Sequence, residues 1–265
     1  MPNSFRAISL LAAAALLIGA ASAEAAPSSG AAPQALSVTL FYEGRLLVKV
    51  VDIRADQVVE PNGFRLGARL HTAALGAVLK SATFLAQAEG PMLAGGAVPS
   101  AFISDDGKRH RVVRYHNVSP RSPADPLTQL LRAALSPGGV SPCLGALRVE
   151  DGLQTYDLIL TPAGPGALTA EQKGLDLSAP VRCWLGFRPL SGVKPGASLR
   201  NPFMTGELSA TFARPAAADL WVMSDIAIGT VLGEGHIALT GLKLQGARPL
   251  ASIASTAHQA RPIRP

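Results

Sequence analysis

Apolar and polar residues alternate with a period of two along most of this sequence. In the segment GFRLGARLH, residues 63–71, every second residue is apolar, and this set consists of Phe64, Leu66, Ala68 and Leu70. The segment LQTYDLILT, residues 153–161, repeats the pattern with Tyr156, Leu158 and Leu160 on one face. Successive side chains of a strand point to opposite faces, so this period predicts half-buried antiparallel strands.

The same pattern recurs between short turn segments such as EPNG, DDGK, EDG, KPG and GEG. Further strand candidates are residues 37–43, 46–53, 101–104, 111–117, 143–150, 181–187, 206–214, 220–232 and 236–245. We therefore expect an all-β protein with about ten strands in one large curved antiparallel sheet, forming an open or half barrel around its contents.

One segment, DPLTQLLRAALSPGG, has the pattern of a short amphipathic helix. Asp125 is suited to cap its first turn and Pro126 to occupy the first helical position, while Leu127, Leu130 and Leu131 form an apolar stripe. The alternative is that Asp125 is a catalytic carboxylate, but the helix cap is the better explanation. We expect the stripe to form one wall of a groove on the concave side of the sheet.

A second apolar stretch, residues 73–86, has no clean period. It is compatible with plain core, with a brief helix, or with a lip folded over the sheet's interior.

The first residues resemble a secretory signal peptide. A short segment with Arg6 precedes an apolar run over residues 7–20, and Ala21-Ser22-Ala23 matches a small-x-small cleavage site. We expect a signal peptide over residues 1–23, a flexible leader over 24–35, a single β-rich domain over 36–246 and a disordered tail over 247–265. This organisation predicts an exported, periplasmic protein without a transmembrane segment in its mature chain.

Cys143 and Cys183 are the two cysteines of the chain. A single pair in an oxidising compartment favours a disulfide. A metal site is disfavoured because neither cysteine has a second cysteine or a histidine two to four residues away.

The formal net charge is +6, and the basic residues are scattered along the predicted strands. Such spacing is typical of a solvated sheet face, and export argues against nucleic acid as the partner.

No segment carries a convincing catalytic motif. Ser191 and Lys194 match a Ser-x-x-Lys pattern, but Gly192 and Pro195 favour a turn, whereas that chemistry needs a helix. The spacing of the histidines does not fit a metal site, so we expect them to be solvent-exposed, and no cofactor motif is present. We therefore expect neither a catalytic residue, nor a metal, nor a cofactor, and an enzyme is the least favoured class. Four aromatic residues are either core or groove-lining residues: Tyr156, Trp184, Phe187 and Trp221.

The order of five segments is similar to an exported bacterial family, known as domain of unknown function 3108. These segments are LFYEGRLLVKV, DPLTQLLRA, CLGALRVEDGLQTYDLIL, VRCWLGFRPLSGVKP and LWVMSDIAIGTVLGEGHIALTGL. The resemblance covers residues 37–244 and implies an all-β envelope protein. It implies no catalytic residue, because that family has no established activity.

Two functions fit these observations. The first is a non-enzymatic periplasmic protein that binds a lipid-like or other hydrophobic envelope component in an apolar groove. The second is a cell-envelope scaffold that binds another envelope protein through a sheet edge or a surface patch. An open apolar interior would favour the first, and a filled interior would favour the second.

Overall fold

The structure is a computed structural model that describes residues 35–72, 82–116, 118–135, 141–143, 145–192, 204–218, 220–230 and 233–246. The first half of the described chain contains seven strands: β1 (Leu36–Leu46), β2 (Val48–Glu60), β3 (Gly63–Thr72), β4 (Thr83–Leu93), β5 (Gly96–Ala97), β6 (Ala101–Asp105) and β7 (His110–Arg114). The second half contains two helices and six strands: α1 (Pro126–Ala134), β8 (Gly145–Glu150), β9 (Thr155–Pro165), α2 (Ala170–Lys173), β10 (Leu177–Ser191), β11 (Met204–Pro215), β12 (Val222–Thr230) and β13 (Gly233–Gln245).

All thirteen strands belong to one antiparallel sheet, which confirms the predicted fold class. Along the sheet the strands follow the order β7-β6-β4-β3-β2-β1-β13-β12-β11-β10-β9-β8, and β5 pairs with β4. The first and last strands therefore pair in the middle of the sheet, and the two halves of the chain extend from them in opposite directions. The sheet is not closed, and β7 and β8 are its edges.

The inward face of the sheet carries the hydrophobic core. Leu40 of β1 pairs with Ala55 of β2, and the same transverse row continues through Ala68 and Ala86 to Ser104 of β6. All of these side chains are buried. Small side chains in the middle of the row let neighbouring strands curve tightly around the interior, as in other strongly curved sheets.

The chain between the two edge strands brings them together. The hydroxyl of Tyr115, just after β7, donates to the carbonyl of Glu150 at the end of β8 over 2.6 Å. Ala124 then forms a parallel bridge with Val149 of β8. Helix α1 follows directly, and it contacts β4, β5 and β8. The gap between the edges is thus spanned by the segment that leads into the helix, which protects exposed edge groups from pairing with other chains.

The disulfide between Cys143 and Cys183 confirms the predicted pairing. The two Cα atoms lie 5.5 Å apart. Cys183 lies on the inward face of β10, and Cys143 precedes β8. The bond therefore attaches the chain after α1 to the interior of the second half of the sheet.

The structure corrects the sequence interpretation in three places. The described residues form thirteen strands rather than about ten, and the missed ones are β4 and β5. Residues 83–86, for which a brief helix or a lip was considered, begin strand β4, whereas residues 73–81 lie outside the described residues. A second helix, α2, was not predicted, although Thr169 and Gln172 form a capping box at its start.

Gly90 of β4 is required for the close approach of the following chain. A Cβ at this position would lie 1.9 Å from the carbonyl oxygen of Val98, which is a backbone atom held by a hydrogen bond from its own residue's amide to Pro91. We predict that Gly90→Ala lowers the free energy of unfolding by about 1–3 kcal/mol, because the clash forces a backbone shift. Urea denaturation followed by circular dichroism measures this change.

Gly67 of the neighbouring strand β3 provides the matched control. A Cβ there would meet no heavy atom closer than 3.9 Å. Gly67→Ala should leave the stability unchanged or raise it by up to about 1 kcal/mol, since it restricts the unfolded chain. Equal effects of the two substitutions would contradict the assigned packing of β4 against residues 98–100.

Candidate functional site

One end of the sheet leaves apolar inward side chains partly exposed. At this end β1 turns into β2, β8 turns into β9, and β10 ends. We call it the mouth end. Here the inward residues form an apolar surface, the apolar mouth, which consists of Val51, Leu158, Leu185, Phe187, Leu208 and Ile228.

The exposure of inward residues increases along the strands toward the mouth end. On β10 it rises from 0% at Cys183 to 9% at Leu185, and Phe187 is half-buried. On β11, Ala210 is fully buried and Leu208 is half-buried. Leu208 pairs with Leu185 on one side and with Ile228 on the other, so these side chains lie in one continuous row. The interior is therefore packed at its middle and accessible at this end.

Two buried hydroxyl groups on the inward face lack a hydrogen-bond partner among the described residues. Tyr42 lies on β1, one inward position deeper than Gly44, which pairs with Val51 of the mouth. Ser104 is the last inward residue of β6. Burial raises the pKa of the Tyr42 hydroxyl, so this group is a neutral donor. An unpaired buried hydroxyl costs about 1–3 kcal/mol, so each group is suited to a hydrogen bond with a bound molecule or a water.

The structure brings together only part of the predicted groove lining. Tyr156 and Phe187 stack on the inward face with ring centroids 4.5 Å apart. Trp184 lies on the outer face of β10, where the Arg182 guanidinium group is 4.8 Å from its ring centroid. Trp221 is buried just before β12, at the opposite end of the sheet from the mouth. We therefore exclude Trp184 and Trp221 from the lining, because their positions keep them away from the accessible inward surface.

The predicted apolar stripe of α1 is buried inside the protein rather than exposed in a groove. Leu127, Leu130 and Leu131 are each at most 2% exposed, and eight of the nine helix residues are buried. Arg132 is the exception, and its Nε donates to the carbonyl of Ala97 over 2.8 Å. The stripe of α1 therefore does not form the expected wall of an open groove. The accessible inward residues are the strand residues of the mouth instead.

Asp125 has the geometry of a helix cap. One carboxylate oxygen accepts from the Thr128 amide over 2.8 Å, and the other accepts from the Thr128 hydroxyl over 2.6 Å. The residue is fully buried, so a substrate has no access to it. Burial raises the pKa of its carboxyl to about 6, against the opposing effect of the bonds from Thr128.

A charged cluster on the outer face was not predicted. Arg148 of β8, Asp157 of β9 and Arg188 of β10 are direct neighbours across three strands. Both guanidinium groups bond the carboxylate of Asp157, which is almost fully buried beneath them. The bonds from Arg148 and Arg188 lower the pKa of this carboxyl to about 2. The alternation places all three residues on the face opposite to Leu158 and Phe187, so the sequence did contain the signal.

The described residues do not assemble a familiar catalytic or metal site. Within them, no group of three or more His, Cys, Asp or Glu residues is close enough to hold a metal ion. His71, His110 and His236 are exposed at separate places, beside Thr83, Asp105 and Asp225 respectively. Ser191 ends strand β10 in an extended conformation, and Lys194 lies outside the described residues. No helix in the described ranges is long and apolar enough to cross a membrane.

No protein-family model matches the chain, and no curated protein matches it significantly. The resemblance to the exported family therefore stays a prediction, and the function has to be inferred from the site itself.

The cap predicts a specific pH dependence of stability. Because the folded-state pKa of Asp125 lies above the ordinary value of 3.8, the folded protein holds this proton over a wider pH range than the unfolded chain. Its contribution to stability is therefore largest below about pH 4 and is lost as the pH rises to about 6. A shift of this size corresponds to about 3 kcal/mol.

Asp125→Asn isolates this contribution, since asparagine caps helices as well as aspartate does but does not titrate. We expect the difference in unfolding free energy, wild type minus variant, to decrease by about 2–3 kcal/mol between pH 4 and pH 7. Urea denaturation at several pH values measures it. A difference that stays constant over this range would show that Asp125 is not a buried, titrating cap.

Proposed function

We propose that this protein is a non-enzymatic envelope protein that binds a lipid-like or other hydrophobic molecule in the apolar mouth. The observation that carries the proposal is the partial exposure of inward apolar side chains at one end of an otherwise packed sheet. Apolar side chains that converge on a concave surface gain free energy when a ligand removes them from water. A hydrophobic molecule is the class of ligand that these side chains can bind.

The inward hydroxyl groups suggest that the ligand carries a polar end. Tyr42 and Ser104 supply two buried donors that have no partner among the described residues, on strands that lie four positions apart in the sheet. Neighbouring strands are spaced by about 4.8 Å, so the two groups are up to about 19 Å apart along the sheet. One polar end of a ligand can therefore reach one of the two groups, and the other is left to bond a water or a second polar group.

The envelope location rests on two observations. The N-terminal sequence has the pattern of a secretory signal, and the disulfide is compatible with an oxidising compartment. In such a compartment, a protein with an apolar mouth can shield a hydrophobic envelope component from water.

The second candidate function is that of an interaction or scaffold protein. The burial of eight of the nine residues of α1 favours it, because the helix leaves no open groove along its apolar face. The mouth distinguishes the candidates, since a pure scaffold has no need for accessible inward apolar side chains.

Adjacent residues of β9 provide a matched test. Leu158 and Ile159 are both half-buried, but Leu158 faces the mouth and Ile159 faces outward. We predict that Leu158→Gln weakens the binding of a fluorescent fatty-acid probe at least tenfold, which corresponds to about 1.4 kcal/mol. Ile159→Gln should change the dissociation constant less than twofold. Fluorescence titration of both purified variants measures these constants, and their thermal melts verify that both remain folded.

Two results would oppose the proposal. Equal weakening in the two variants would place the probe outside the mouth. Absence of probe uptake by the wild type, together with no small molecule retained in native mass spectrometry of protein purified from its own cells, would favour the scaffold.

A further inference from the structure

The tip of the hairpin between β1 and β2 has an unusual conformation for its sequence. The tip residue is Leu47, which has a φ of 62° and is 86% exposed. Leucine is disfavoured in this left-handed region, where glycine and asparagine are the usual residues. It also gains nothing from burial within its own chain. The backbone strain at Leu47 is therefore not offset by burial of its side chain, which points to a role outside the folded chain.

The residues around Leu47 lie in layers along the hairpin. Leu46, Leu47 and Val48 form the apolar tip, and Val48 is also exposed. Arg45 and Lys49 form the next pair, directly opposite each other on the two strands.

Glu43 and Asp52 pair two steps further from the tip, beyond the pair of Gly44 and Val51. Lys49 bonds both acids, and Arg45 bonds Glu43. The Arg45 side chain is 70% exposed, against 17% for Glu43, whereas Lys49 and Asp52 are 38% and 50% exposed. The two cations therefore lie nearer the tip than the acids, and Arg45 is the more exposed cation.

This order matches the depth profile of an anionic bilayer surface. The acyl region accepts an exposed apolar tip, and the phosphate layer above it attracts lysine and arginine. A protein partner with an apolar pocket could accept the leucine, but it would not require the two cations that lie next to the tip.

We propose that the β1–β2 hairpin tip inserts into the surface of an anionic phospholipid bilayer, with Leu47 and Val48 in the acyl boundary and Arg45 and Lys49 at the phosphates. Two further exposed leucines lie at the same end of the sheet, Leu153 in the β8–β9 turn and Leu190 near the end of β10. If the protein docks through these residues, the apolar mouth faces the membrane. The inference goes beyond the proposed ligand binding and does not depend on it.

A local optical measurement tests the insertion. Leu93 supplies a matched control, because it is an exposed leucine next to a turn at the opposite end of the sheet. In the full-length protein, we expect the added fluorescence of Leu47→Trp to shift to shorter wavelength and to be quenched by vesicles of brominated phosphatidylglycerol and phosphatidylcholine. The added fluorescence of Leu93→Trp should not respond. Because the readout is local, vesicle binding by another segment of the chain does not produce it.

A second pair of variants separates docking from folding. Leu47→Asn removes the apolar tip and supplies a residue that tolerates the left-handed region. We expect this variant to melt at a higher temperature than the wild type and to bind phosphatidylglycerol vesicles at least tenfold more weakly in flotation. Leu93→Asn should bind as the wild type does. The double variant Arg45→Gln, Lys49→Gln should bind vesicles with and without phosphatidylglycerol equally.

The outcomes that overturn the proposal are distinct from those that oppose ligand binding, because no fatty-acid probe is used. An unshifted, unquenched Leu47→Trp signal in vesicle-bound protein would exclude insertion of the tip. Unchanged flotation of Leu47→Asn would exclude it as well. Binding of the wild type to a protein from the envelope, lost in Leu47→Asn while vesicles are ignored, would assign the tip to a protein partner.

Discussion

The pairing of β1 with β13 is the contact on which the rest of the fold depends. It joins the two ends of the described chain, and the Thr240 hydroxyl bonds the carbonyl of Phe41 across a separation of 199 residues. Without it, the seven strands of the first half and the six of the second would form two separate sheets. Each would expose an additional edge and an uncovered apolar face. The pairing makes one inward face from two, and that face can then curve around a shared core.

Curvature of this sheet creates a packed region and an open one. Near the edges, α1 and the segment before it fill the space between β4, β5 and β8, and the buried cap at Asp125 belongs to this region. At the mouth end, the inward residues of β9, β10 and β11 have no such cover within the described chain. The same apolar alternation therefore serves stability in one region and provides a binding surface in the other.

The sequence predicted the elements whose signal is local. The alternation of Phe64, Leu66, Ala68 and Leu70 was interpreted correctly, because every second residue of β3 does face the core. Strand β4 was missed because its inward residues are mostly small and because Gly90 and Pro91 resemble a turn. The outward position of Trp184 could have been inferred, because Trp184 directly follows Cys183 in the strand and neighbouring residues point to opposite faces. The strain at Leu47 could not, because the sequence does not reveal which residue of the hairpin occupies the tip.

By itself, the sequence determined the class of the fold, the helix start at Asp125 and the availability of a cysteine pair. The first two depend on neighbours along the chain, namely a period of two and a capping residue before Pro126, and the third depends only on the number of cysteines. Only the tertiary structure decided that α1 is enclosed, that the Asp125 carboxyl is buried enough to raise its pKa, and which apolar residues remain accessible. These properties depend on how far the sheet curves before β7 and β8 meet the same connecting segment. That curvature is the sum of twists and side-chain volumes over all strands, so no single segment of the sequence contains it.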